Sequence, residues 1–135
     1  MRRHFLVAFA VMSAFVALPS TAHHSFNTFF DMSRTIAIEG VVTSFRLVNP
    51  HAEMLVDVPD AEGNPVTWRI TARTGPAAAM QEGWKPEDFI GKQVKVEGNP
   101  TRREGGTAMS AGVVTFADDG RVVCLGGCPG GPAVE

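Results

Sequence analysis

Three histidines and two cysteines carry most of the chemistry open to this sequence. His23 and His24 stand together in Ser20-Thr21-Ala22-His23-His24-Ser25-Phe26, directly after the most apolar stretch of the chain. His51 stands in Val48-Asn49-Pro50-His51-Ala52, and Cys124 and Cys128 lie in a glycine-rich C-terminal run. Imidazole nitrogens suit Cu(II), Ni(II) and Zn(II), with copper bound most tightly in the usual order. A cut after Ala22 would give His23 a free α-amine. That amine and the imidazole of the same residue can close a chelate ring on one metal ion, with the peptide nitrogen and imidazole of His24 beside them. Both donors must lose protons, and reference values near 6.5 and 7.7–8.0 make binding weaken below about pH 6. The expected metal set is therefore His23, His24 and His51, with copper as the expected cofactor and no catalytic residue assigned.

Each of these residues has a plainer reading as well. Two histidines at a chain start can form a solvated terminus, and His51 can hydrogen-bond to fix a strand corner. The cysteine pair reads first as a local disulfide, Cys124 to Cys128, as expected in an exported protein. So short a loop restrains the unfolded chain by only about 2 kcal/mol. A thiol pair for a soft metal or for redox exchange is the other reading.

Whether His23 becomes a terminus depends on the leader. Met1-Arg2-Arg3-His4 precedes an uncharged run from Phe5 to Leu18, and small residues Ser20 and Ala22 follow. That is the layout of a secretory signal peptide. The run is shorter than the roughly 20 apolar residues a membrane span needs. An uncleaved anchor is the alternative. With cleavage after Ala22 the product is expected in the periplasm or secreted, with no membrane attachment. Losing Arg2 and Arg3 takes Lys+Arg from 12 to 10 against 14 acidic residues, a net charge of −4. A nucleic-acid partner would want a basic face, so none is expected. A metal ion or a periplasmic protein is the expected partner.

The elements that must hold the histidines show period-two alternation. A long first strand runs from Thr35 to Val48. Its apolar phase shifts between Ile38 and Val41, which points to a bulge or bend at Gly40. Ala52, Met54, Val56 and Val58 share one face of a second strand, which marks Met54 as core. Pro59 to Pro65 is turn chemistry. Val66, Trp68, Ile70 and Ala72 then alternate in a third strand. Pro76 to Glu82 reads as one short helix before Gly83. Trp84 and Phe89 look buried in the link that follows. Val94, Val96 and Gly98 make a fourth strand, Thr107 to Phe116 a fifth, and Asp118 to Gly120 a turn before Arg121 to Val123.

Three strands, a short helix and two strands give the order of a five-stranded OB-like barrel. The expected fold is all-β: a small barrel with one helix between strands 3 and 4, behind a signal peptide. The expected divisions are signal peptide 1–22, N-terminal arm 23–34, barrel domain 35–123 and a flexible glycine- and cysteine-bearing tail 124–135. Phe26, Phe29 and Phe30 are expected to pin the arm by burying aromatic area. Ten residues lie between His24 and Thr35 and could extend about 33–36 Å, so the arm can reach His51.

Several runs together carry a resemblance: Ala22-His23-His24-Ser25-Phe26, Asp31, Ile38-Glu39-Gly40-Val41-Val42, Val48-Asn49-Pro50-His51-Ala52, Thr67-Trp68-Arg69-Ile70, Gly83-Trp84, Val94-Lys95-Val96-Glu97-Gly98 and Asp119-Gly120-Arg121. In these the chain resembles a family of small exported bacterial proteins of unknown function. The resemblance spans about residues 22–121 and implies a single periplasmic barrel domain with His23, His24 and His51 at motif positions. It implies no activity. The stretch Ile70 to Met80 departs from the pattern, as does the Cys124–Cys128 tail, so any role of the cysteines is peculiar to this chain.

Three classes of function follow. First is a periplasmic protein binding copper or another transition metal through the N-terminal histidine site. Second is a non-metal accessory or protein-interaction module, in which Trp68, Trp84 and the strand-one surface matter more. Third, and least favoured, is a copper enzyme. An N-terminal histidine with a second histidine is similar to the copper brace of oxidative polysaccharide-cleaving enzymes. Those are larger sandwiches, and this chain has no tyrosine for an axial position. No Ser-His-Asp set, paired-carboxylate motif, phosphate loop or CxxC pair is present.

Overall fold

A computed structural model describes residues 26–126. A short helix α1 (Phe26–Phe29) leads into β1 (Ile36–Arg46), β2 (Glu53–Pro59) and β3 (Pro65–Ala72). Helix α2 (Pro76–Gln81) and a single 3-10 turn (Pro86–Asp88) follow. β4 (Gln93–Pro100), β5 (Ala108–Phe116) and a three-residue β6 (Val122–Cys124) complete the order. Among these residues no helix is long and apolar enough to cross a membrane.

The sheet closes on itself. β1 pairs antiparallel with β2 and with β4, β2 with β3, and β4 with β5. A parallel pairing of β3 with β5, from Arg69 opposite Ala108 to Ala72 opposite Ala111, seals the ring. The result is the expected five-stranded barrel. β1 serves two neighbours in turn: its first half faces β4 and its second half faces β2. β6 adds a sixth strand, paired to β5 from Val113 to Thr115, that the sequence did not announce.

Alternation places the core. Met54, Val56, Ile70, Val96, Met109 and Val114 are fully buried. Three aromatic rings pack in a tilted row, with Phe45 to Phe89 centroids 4.5 Å apart and Phe89 to Phe116 5.2 Å apart. Burying such rings supplies much of the stabilisation available to a small domain. The core extends past Val123. Leu125 is fully buried, its N–H donates to the Gly112 carbonyl, and its own carbonyl accepts from Arg73 and Thr74.

The phase change in β1 lies at Thr43, between Val42 and Ser44, and not at Gly40. Val42 is buried and Val41 is exposed, so the even phase persists through two further residues before Phe45 takes it over. Two adjacent valines hide that point in the sequence. Gly40 has a different role: a Cβ there would overlap the Asp57 carbonyl oxygen on β2. Glycine is the residue that lets the two backbones approach so closely.

Candidate functional site

The corner between β1 and β2 is built from Leu47 to Ala52. Its Asn49–Pro50 peptide is cis. Ala52, fully buried, anchors the far side by donating to the Thr74 carbonyl at 3.2 Å and accepting from the Ala72 N–H at 2.9 Å. His51 is thereby held at the mouth of the barrel, half-buried. Its Nδ1 is buried without a hydrogen-bond partner among the described residues. A buried polar atom left unpaired costs stability, so such atoms are rare and call for an explanation.

The arm reaches this corner. The Phe26 ring meets the His51 ring edge to face, with centroids 4.8 Å apart at 76°. Phe30 stacks on Phe26 at 5.7 Å. Both rings are half-buried, whereas Phe29 is 54% exposed. Two of the three phenylalanines therefore pin the arm, and Phe29 does not bury its ring. The rest of the hold comes from the β4–β5 hairpin. Phe30 bridges Thr101, and Asp31 N–H donates to the Pro100 carbonyl at 2.8 Å. Arg102 N–H donates to the Phe29 carbonyl at 2.9 Å, and Arg102 Nε donates to the Asn27 carbonyl at 2.8 Å. Asn99 Nδ2 donates to the Arg34 carbonyl at 2.7 Å.

Charge near the arm is ordered too. Asp31 Oδ1 accepts from the Ser33 hydroxyl at 2.6 Å and from its N–H at 3.2 Å. The hydroxyl, with lesser help from Arg102 and Arg34, holds the Asp31 carboxyl below the usual carboxylate range.

Of the expected metal ligands, His51 is in place beside the arm. His23 and His24 lie outside the described residues, three and two positions before Phe26. Among the described residues no group of three His, Cys, Asp or Glu side chains could hold a metal ion. Met54 belongs to the core, as its phase implied. Cys124 is disulfide-bonded, and Cys128 lies outside the described residues. Of the two tryptophans, Trp84 is 8% exposed, and Trp68 packs partly buried against the core. Sequence reasoning missed Arg102. It touches the arm across 75 residues of chain, a separation at which no local pattern signals contact.

A family model described as "Family of unknown function (DUF6152)" matches residues 10–110. No curated protein and no solved structure matches the chain.

Proposed function

We propose that this chain, which belongs to the DUF6152 family of unknown function, is an exported metal-binding protein that holds copper or a similar transition metal between its N-terminal histidines and His51. The observation that carries the reading is the buried, unpartnered Nδ1 of His51 beside the Phe26 ring. In a neutral imidazole one nitrogen donates and the other offers a lone pair. A buried lone pair is satisfied by a donor or by a cation, and histidine is the commonest protein ligand for such cations.

Chain length makes the rest of the set reachable. Only Ser25 lies between His24 and Phe26, so their Cα atoms are within about 7 Å of each other. The Phe26 ring is already in contact with His51. Trimming after Ala22 would then bring the α-amine and imidazole of His23, and the imidazole of His24, into the neighbourhood of the His51 ring. Nitrogen donors of this kind favour Cu(II) over Zn(II) and Ni(II). The barrel's part is to fix one ligand on a rigid corner and to clasp the strand that delivers the others. A site built this way loses less ordering entropy on binding than a free terminus would.

Copper titration of the chain beginning at His23 tests the reading. Tight binding that weakens both in His51→Ala and in a chain carrying one extra residue before His23 supports it. Absence of binding tighter than about micromolar removes it.

A further inference from the structure

The tip of the β4–β5 hairpin gathers arginines. Arg102 and Arg103 stand on it, Arg34 borders it from the arm, and Arg69 borders it from β3. Two open cavities flank the tip. One, of about 470 Å³, reaches Asp31 and Arg34. The other, of about 700 Å³, reaches Leu55, Thr67 and Arg69. Both volumes fall in the range of small-ligand sites. The carboxylates lining the two cavities are Asp31 and Glu104. Four guanidiniums stand against these two carboxylates and Glu53, which pairs with Arg69, and still leave a small local excess of positive charge on a chain whose net charge is −2.

The cations there are all arginine. The lysines of β4 and the preceding turn are engaged elsewhere, Lys92 with Asp118 and Lys95 with Glu97. Arginine's planar fork binds carboxylate or phosphate through two parallel hydrogen bonds, which an ammonium cannot do. Arg69 shares the Glu53 carboxylate with Arg46, at 3.6 Å and 3.3 Å respectively. Among the described residues no carboxylate lies within ion-pair distance of Arg34 or Arg103. These two guanidiniums have charge and donors to offer.

The tip is built in advance. Arg103 N–H donates to Thr101 Oγ1 at 3.2 Å, and Gly106 N–H donates to the Arg103 carbonyl at 3.0 Å. A Cβ at Gly106 would come within 2.6 Å of Thr101 Cγ2, so the turn has closed tightly around a glycine. A ligand arriving there need not order the loop.

We infer that Arg34, Arg69 and Arg103 around this tip form a binding site for a small multivalent oxyanion, a ligand carrying several phosphate or carboxylate groups. This site is separate from the histidine centre and does not depend on it. Calorimetric titration of the full chain, kept free of metal, with inorganic tripolyphosphate and separately with citrate tests the inference. The expected result is saturable binding of at least one anion, weakened by added salt. Arg103→Ala should weaken it about tenfold and Arg69→Ala combined with Arg103→Ala still further, while Lys85→Ala leaves it unchanged. No saturable binding of either anion below about 10 mM overturns the inference. So does an equal loss in Lys85→Ala and Arg103→Ala, which would mean a diffuse response to net charge.

Discussion

Phe26 and His51 meet ring to ring across the barrel mouth, with centroids 4.8 Å apart and planes at 76°. One residue belongs to the arm and the other to the β1–β2 corner. Their contact brings the segment that follows His23 and His24 onto His51. The pair is also where an aromatic contact and an unsatisfied nitrogen coincide. Packing explains why the arm rests there. It leaves the unpaired Nδ1 unexplained, and the metal site we propose would account for it.

The arm is held as much by main-chain hydrogen bonds as by rings. Arg102→Ala removes the Nε bond to the Asn27 carbonyl. Amide exchange at Phe30 and Asp31 should quicken in this variant, while amides of β2 such as Val56 keep their protection. Unchanged exchange at Phe30 and Asp31 would show that Arg102 is not the clasp.

Close approach of β1 and β2 at Gly40 leaves no room for a side chain. Gly40→Ala should cost about 3 kcal/mol or more, or abolish folding, since the obstacle is a backbone oxygen that cannot turn aside. Chemical denaturation measures the loss. A change below about 1 kcal/mol would mean that the strands can shift apart freely.

Leu125 lies beyond the last strand yet belongs to the core. Leu125→Ala should destabilise the domain by about 2–5 kcal/mol, as large-to-small changes at filled sites do. Urea unfolding followed by tryptophan fluorescence reports it, because Trp84 is itself buried. A neutral outcome would place Leu125 outside the cooperative unit.

The Lys92–Asp118 pair sets a modest pH dependence. The hydrogen bond from Lys92 lowers the Asp118 carboxyl, and the same bond raises Lys92. A lowered carboxyl contributes stability above its unfolded value, near 3.9, and that contribution disappears as pH falls through the lower folded value. The raised ammonium contributes below its unfolded value, near 10.4, and its contribution disappears as pH rises through the higher folded value. Asp118→Asn should therefore lower stability at neutral pH, slightly because both groups are exposed, and should flatten the acid limb of the stability curve. Denaturation midpoints between about pH 2 and 7 show whether wild type and variant converge in acid, as linkage requires.

The barrel itself could be read from alternation, because β2, β3 and β4 each bury one phase against a single core. β1 was harder. Val41 and Val42 are both apolar, so the residue at which the phase turns is hidden in the sequence, which points to Gly40 where the structure turns at Thr43. The arm was half legible: three phenylalanines signal docking, but only geometry decides that Phe26 and Phe30 turn inward and Phe29 outward. The hairpin's grip through Arg102 links residues far apart in the chain, and the close of the core at Leu125 lies between a three-residue strand and a glycine run, neither with a pattern of its own. The same limit applies to the arginine cluster, whose members come from the arm, from β3 and from the hairpin tip.

Copper(II) titration of the chain beginning at His23, followed by its electron paramagnetic resonance spectrum, tests the metal reading most directly. One tight equivalent with a nitrogen-rich spectrum is predicted, lost below about pH 6 as protons compete for the donors. A residue added before His23 and the His51→Ala change should each weaken it about tenfold or more. Binding that is weak, or that is indifferent both to the added residue and to His51→Ala, would contradict the account.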